Sequence, residues 1–350
     1  MSTNAASVRA GGQADARLHA ALRFAVGVAA AFVVCEFMQW TPSFLAPVLT
    51  AVLLANLPIR PPMKMVLALI VTMSVAALSA FAMASLLRGT PFVLFGLVAL
   101  CMFLCFHGMA SGRPALPALL MLICLATIPV VVMVAPALAG ILPMALIRGI
   151  ILALAIIWIV YLLWPSTAAP TPAPAPMPGA ATPVALALLS TAVVMPLLLV
   201  YLLFGLADVL PVLVATVMLV VNFDLQRGRL QALGMILGNF AGGLLGLLMH
   251  TLLLTTPTLP FLALLLFLVL LGLGQPIAAG GPAAAVAVIA CNAMLIIFGS
   301  AIASGPGSLA LWLTRLFQFA LAGAFAVGTM NLIWYRIFTQ RSAPPSPANH

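Results

Sequence analysis

The stretch that decides the fold is residues 64–88, which read KMVLALIVTMSVAALSAFAMASLLR. A basic residue stands at each end, and every residue between the two is uncharged. A helix needs about 20 mostly apolar residues to cross the hydrocarbon core of a bilayer. This run, rich in Leu and Ala, is therefore predicted to be a transmembrane helix.

The composition of the whole chain agrees with a lipid environment. Of its 350 residues, 65% are hydrophobic and 5% are charged, whereas soluble domains carry roughly 25% charged residues. So few charges cannot cover a surface that faces water. The net charge of +9 does not indicate nucleic acid, because the basic residues stand singly at the edges of apolar segments, as at a cytoplasmic membrane face.

Charges and clusters of Pro and Gly divide the chain into about twelve spans, which predicts an all-α polytopic transmembrane protein. The apolar runs are continuous, whereas a β-barrel would show alternating segments of about ten residues. The first six spans lie near 20–39, 42–58, 64–87, 91–107, 115–134 and 142–164. The second six lie near 184–204, 208–223, 229–254, 258–274, 277–300 and 309–335.

Five regions follow from this division. They are an N-terminal tail (1–18), a first six-helix half (19–165), a Pro-rich linker (166–183), a second six-helix half (184–337) and a C-terminal tail (338–350). Basic residues concentrate in the loops on one side, which predicts that both termini and the linker are cytoplasmic. Arg9, Arg17 and Arg23 precede the first apolar run, as in a signal peptide, but the further spans favour an uncleaved first helix.

The two halves resemble each other. Asn56 and Asn222 end similar segments 166 positions apart, and Arg148 and Arg315 stand early in their spans 167 positions apart. These offsets predict two parallel six-helix repeats related by a two-fold axis along the membrane normal. Transporters built from repeats bind substrate near the interface between them.

Charged residues inside the spans are the first functional candidates. Arg148 and Arg315 would form a symmetric pair that attracts an anionic substrate, or each would snorkel outward or pair with an acid. Glu36 and Asp208 lie at comparable depth, so we predict that Glu36 pairs with Arg148 and Asp208 with Arg315. Either these acids carry a coupling proton, with Glu36 the better candidate, or they only neutralise the arginines.

Polar residues elsewhere are weaker candidates. Asn239 and Asn292 either form hydrogen bonds between helices or line a substrate path. Asp224, Arg227 and Arg229 form a cytoplasmic loop that is either a gate or a solvated turn.

Small residues indicate packing rather than chemistry. Gly238, Gly242 and Gly246 recur every four residues and predict a smooth helix face for close contact. The five cysteines lie in apolar runs without metal-ligand spacing and are interpreted as buried apolar residues, so we predict no cofactor and no metal.

Five segments carry a resemblance to a known family. They are LRFAVG (22–27), FLAPVL (44–49), LSTAVVMP (189–196), LGMILGNFAGG (233–243) and WLTRLFQ (312–318). In order and spacing they resemble the fusaric acid resistance protein-like (aromatic acid exporter) superfamily, in particular its short bacterial members with two six-helix halves. The resemblance implies an inner-membrane exporter of aromatic acids or related compounds that works with a periplasmic membrane fusion protein.

The leading hypothesis is a secondary transporter subunit that exports small organic compounds, with the lipid bilayer and an anionic substrate as its partners. The alternative is a non-transporting membrane scaffold that docks a fusion protein. No G-x-x-x-x-G-K-[ST] motif occurs, and no nucleophile–base set is evident, so we predict that the chain is not an enzyme. The 58–64 loop differs from that of the major facilitator class, and a homo-oligomer is left open.

Overall fold

The computed structural model describes residues 2–57, 59–136, 139–166, 182–204, 217 and 228–304, and isolated positions at 317, 321, 325, 328 and 329. These residues are helical wherever they have regular secondary structure. The ten helices, numbered in chain order, are α1 (Ser2–Phe37), α2 (Leu45–Asn56), α3 (Met63–Leu86), α4 (Pro91–Ala110), α5 (Ala115–Val134), α6 (Ile141–Leu163), α7 (Pro183–Phe204), α8 (Gly228–Thr255), α9 (Leu259–Ala279) and α10 (Pro282–Ser304).

Nine of these ten described helices are long and apolar enough to cross a membrane, which confirms a polytopic helical membrane protein. The predicted span 115–134 coincides with α5, and nine further predicted spans have a helix at their place. The predicted spans 208–223 and 309–335 lie outside the described residues, apart from single positions.

The first predicted span agrees with the structure, whereas the start of the eleventh was wrong. The helix α1 begins at Ser2, and its part long and apolar enough to cross a membrane is Asp15–Phe37, against the predicted 20–39. The eleventh span begins at Pro282, not 277, because Gly280 and Gly281 adopt φ of 77° and 79° and break the chain there.

The second predicted span is shorter than expected. Twelve residues form α2, and at 1.5 Å per residue they extend about 18 Å. That length is well below the roughly 30 Å of a hydrocarbon core, so α2 does not cross the bilayer alone. It lies inside the bundle, where α1, α6 and α10 surround it.

The contacts repeat between the halves. In the first half α3 and α4 both pack on α5. In the second half the corresponding helices α8 and α9 both pack on α10. Among the contacts that cross from one half to the other, those of α1 with α9 and of α4 with α7 involve corresponding helices of the two predicted repeats. A duplicated unit would produce such pairs, and the duplication stays a prediction.

The helices also differ in how much of each is buried. The helices α5 and α10 are the most enclosed, with 72% and 78% of their apolar windows buried, whereas α4 and α9 reach 22% each. The centre of the molecule therefore consists of one helix from each half, and α4 and α9 present most of their surface to lipid.

The prediction for the glycine face is confirmed. A Cβ at Gly242 would lie 2.1 Å from the carbonyl oxygen of Ala290, and one at Gly246 would lie 2.7 Å from that of Met294. One at Gly238 would approach Val286 to 2.8 Å. The backbones of α8 and α10 therefore meet at a distance that only glycine allows.

Candidate functional site

A cavity of about 290 Å³ opens at the end of the bundle where the apolar part of α1 begins, which we call the N-terminal end. Its wall comes from α1, the last turn of α2, the end of α6 with the residues after it, and the end of α9. The cavity thus lies where the predicted first half meets α9 of the second half. An interface between repeats is the expected place for a transporter's binding site.

Arg23 is the charged group on the buried side of this cavity. Arg23 is 7% exposed and lies well inside α1. Its Nη1 donates a hydrogen bond to the backbone carbonyl of Trp164 at 2.9 Å. Its Cζ lies 4.9 Å from the ring centroid of Tyr161, which is a cation–π contact.

Tyr161 fixes the floor of the cavity. Its hydroxyl donates a hydrogen bond to the backbone carbonyl of Leu57, directly after α2. Both groups are buried, so this bond satisfies a terminal helix carbonyl that water cannot reach. It also ties α6 to the short helix α2, and α6 in turn holds Arg23 of α1.

The cavity is electropositive. Arg17, His19 and Arg23 belong to its wall, and none of the described residues that line it is acidic. The described residues include two acids, Asp15 and Glu36, and neither lines the cavity. An anion that enters would therefore meet cations without a competing carboxylate.

Arg148 occupies a different setting at the other end of the bundle, which we call the far end. Its Cζ lies 5.0 Å from the ring centroid of Trp40, and its buried Nε has no hydrogen-bond partner among the described residues. The cleft beside it, which Cys35 and Ala145 also line, has a volume of about 10 Å³. That volume is about one water-sized probe and too small for an organic substrate.

Among the described residues no ion pair joins Glu36 and Arg148, whose guanidinium lies near an indole ring, and the predicted pairing stays a prediction. Arg60 also contacts an aromatic ring, since its Cζ lies 3.6 Å from the ring centroid of Trp158. With four acids in the whole chain, aromatic rings take the place of carboxylates beside these arginines.

Several predicted residues lie outside the part of the chain that the structure describes. They are Arg315, Asp208, Asp224 and Arg227, and the side chain of Arg229 at the start of α8 belongs with them. The pairing of Asp208 with Arg315 and the role of the 224–229 loop therefore stay predictions.

The two buried asparagines do not line the cavity. Asn239 is 4% exposed on α8 and Asn292 is 2% exposed on α10. The amide of Asn292 has no hydrogen-bond partner among the described residues. Asn56 donates to the carbonyl of Val52 in its own helix at 2.8 Å.

Sequence reasoning missed Arg23 and Tyr161. Arg23 was interpreted as a basic residue flanking the first span, although it falls within residues 20–39. Its position inside an apolar segment was the available signal, because an arginine there needs a partner or water. Nothing in the sequence connects it with Tyr161, which is 138 residues later.

Comparison with known proteins yields one match. The model of a family described as a protein of unknown function (DUF2955) matches residues 20–160, less than half of the chain and nearly all of the predicted first half. No curated protein matches the chain, and no solved structure does.

Proposed function

We propose that this multi-pass membrane protein is a secondary transporter subunit that exports small organic anions. The observation that carries the proposal is the electropositive cavity at the N-terminal end, with a nearly buried Arg23 and no acid among the described residues of its wall. A buried guanidinium without a carboxylate attracts an anion, because the alternative is an uncompensated charge in a medium of low dielectric constant. Arginine also binds carboxylates through two parallel hydrogen bonds.

The size of the cavity supports a substrate with one aromatic ring. An apolar protein cavity of about 150 Å³ holds benzene, so about 290 Å³ has room for a ring with a carboxylate. Phe24 and Tyr161 supply aromatic surface beside Arg23. Aromatic carboxylates are therefore the substrate class that we propose.

Export is the proposed direction of transport. The basic loops predict that the N-terminal end is cytoplasmic, so in this proposal the cavity takes substrate from the cytoplasm. In this proposal the chain lies in a bacterial inner membrane and delivers substrate to a periplasmic membrane fusion protein. Glu36, partly buried near the far end of α1, is the proposed carrier of a coupling proton.

The test measures accumulation of radiolabelled benzoate and hydroxylated benzoates in cells that lack the protein, with and without the wild-type chain. We expect the wild-type chain to lower accumulation. Arg23→Gln should slow efflux by about tenfold or more, the usual effect of losing a charged hydrogen bond. Arg148→Gln should have a smaller effect, since the cleft beside Arg148 is too small for an organic substrate.

Arg60→Gln is the matched control, because Arg60 also contacts an aromatic ring but is exposed and does not line the cavity. It should export like the wild type at equal membrane expression. Normal efflux by Arg23→Gln would exclude the cavity as the binding site. No efflux by the wild-type chain would instead favour the scaffold that docks a fusion protein.

A further inference from the structure

Aromatic side chains pack tightly between α1, α2 and α10 toward the far end of the bundle. Phe32 of α1 and Phe298 of α10 are fully buried, and their ring centroids are 5.3 Å apart. The two residues belong to different predicted halves, so their contact crosses the interface between the halves. We call these two residues with Phe44 and Gly299 the far-end barrier.

Phe44 and Gly299 form the tightest part of this barrier. Phe44 directly precedes α2 and is 4% exposed. A Cβ at Gly299 of α10 would lie 2.9 Å from the Cβ of Phe44 and 3.3 Å from its backbone nitrogen. Because these atoms are fixed to the backbone, α2 and α10 approach this closely only with glycine at position 299.

The barrier and the cavity involve the same helices. Phe24 of α1 lines the cavity and Phe32 belongs to the barrier, and eight residues of helix separate them by about 12 Å. The last turn of α2 lines the cavity, while its first residues adjoin Phe44. The barrier residues therefore lie on the same helices as the cavity, farther toward the far end.

We propose that the far-end barrier is the gate through which substrate leaves, and that it opens when α2 separates from α10. The proposal rests on the proposed transport function. In the structure the cavity is accessible at the N-terminal end and the barrier is closed. Transport would require a second state in which the barrier is open and the cavity is closed, as in alternating access.

Cys35 provides a reporter for the open state. It lies one turn beyond Phe32 on α1, is 2% exposed and lines the small cleft beside Trp40. In the closed state a thiol reagent from the far side does not reach it. Separation of the barrier would expose it to that side.

The experiment measures labelling of Cys35 by a membrane-impermeant maleimide in right-side-out spheroplasts. The other four cysteines, Cys101, Cys105, Cys124 and Cys291, are replaced by Ala. Gly299→Ala should open the barrier, because overpacking of the usual size shifts a two-state equilibrium by about tenfold. The labelling rate of Cys35 should rise by about that factor.

A second reporter shows the state of the cavity. Ala278→Cys, in a chain without the native cysteines, lies in the cavity wall and is labelled from inside-out vesicles. Gly299→Ala should slow this labelling by a similar factor. Gly96→Ala is the control, since a Cβ there meets nothing within 4 Å, and it should change neither rate.

The outcomes separate the possible failures. Unchanged labelling of both reporters in Gly299→Ala, or faster labelling of both, would overturn the gate, because the first indicates no opening and the second indicates general loosening. If the reporters respond in opposite directions but the wild-type chain exports no benzoate, the gate stands and the proposed substrate is wrong.

Discussion

The two ends of this bundle hold the same kind of group in different surroundings. At the N-terminal end Arg23 lies over Tyr161 beside a cavity of about 290 Å³, and at the far end Arg148 lies near Trp40 beside a cleft of about 10 Å³. Both arginines lie in apolar helices and both contact an aromatic ring. The comparison teaches that a charge within the membrane becomes a candidate binding site only where the packing leaves space next to it.

The largest expected effect comes from breaking the close packing of α8 and α10. Gly242→Ala places a methyl group 2.1 Å from the carbonyl oxygen of Ala290. We expect a loss of at least about 3 kcal/mol, the upper part of the usual range for overpacking. The yield of monodisperse protein in detergent, measured by size-exclusion chromatography, should fall sharply.

Gly272→Ala provides the matched control, because a Cβ at this helical position meets nothing within 4 Å. It should give the wild-type yield or slightly more, since alanine favours a helix over glycine. Equal yields from the two variants would mean that α8 and α10 are not in close contact in the protein.

An intermediate effect is expected from removing the ring beside Arg148. Trp40→Leu leaves a partly buried guanidinium whose Nε already lacks a described hydrogen-bond partner, and a desolvated cation–π contact contributes about 2 kcal/mol. The midpoint of thermal unfolding in detergent should fall.

Trp40→Phe retains an aromatic face and should restore most of the lost stability. Trp40→Leu combined with Arg148→Met removes the charge as well and should also be more stable than Trp40→Leu alone. If neither variant has a higher unfolding midpoint than Trp40→Leu, the ring does not stabilise Arg148. The aromatic contacts at the two ends would then differ in energy despite their similar geometry.

The smallest effect is expected at the floor of the cavity. Tyr161→Phe keeps the ring beneath Arg23 but removes the hydroxyl that donates to the carbonyl of Leu57. Loss of one neutral hydrogen bond costs about 1 kcal/mol, so the unfolding midpoint should fall slightly.

Tyr161→Leu removes both the hydrogen bond and the cation–π contact and should cost more than Tyr161→Phe. Equal midpoints for the two variants would show that the ring contributes nothing to holding Arg23, in contrast to the expected role of Trp40 at the far end.

The sequence predicted local features well. The helix at 115–134 and the glycine face of α8 were both predictable, because apolar length and glycine spacing are visible within a single segment. The break at Gly280 and Gly281 was missed because the predicted spans 258–274 and 277–300 divide at Pro276, which lies inside α9. A proline is tolerated in a membrane helix where neighbouring groups satisfy the freed carbonyl.

The sequence by itself determined that this chain is a bundle of membrane-spanning helices, because a backbone in lipid must satisfy its hydrogen bonds within each segment. It also marked Arg148 as a charge within a membrane span. Only the tertiary structure decided that Arg23 borders the cavity and that Arg148 does not. Free space beside a side chain depends on how α1, α2, α6 and α9 pack together. Some of the contacts that set this packing, such as that of Arg23 with Trp164, join residues 141 positions apart.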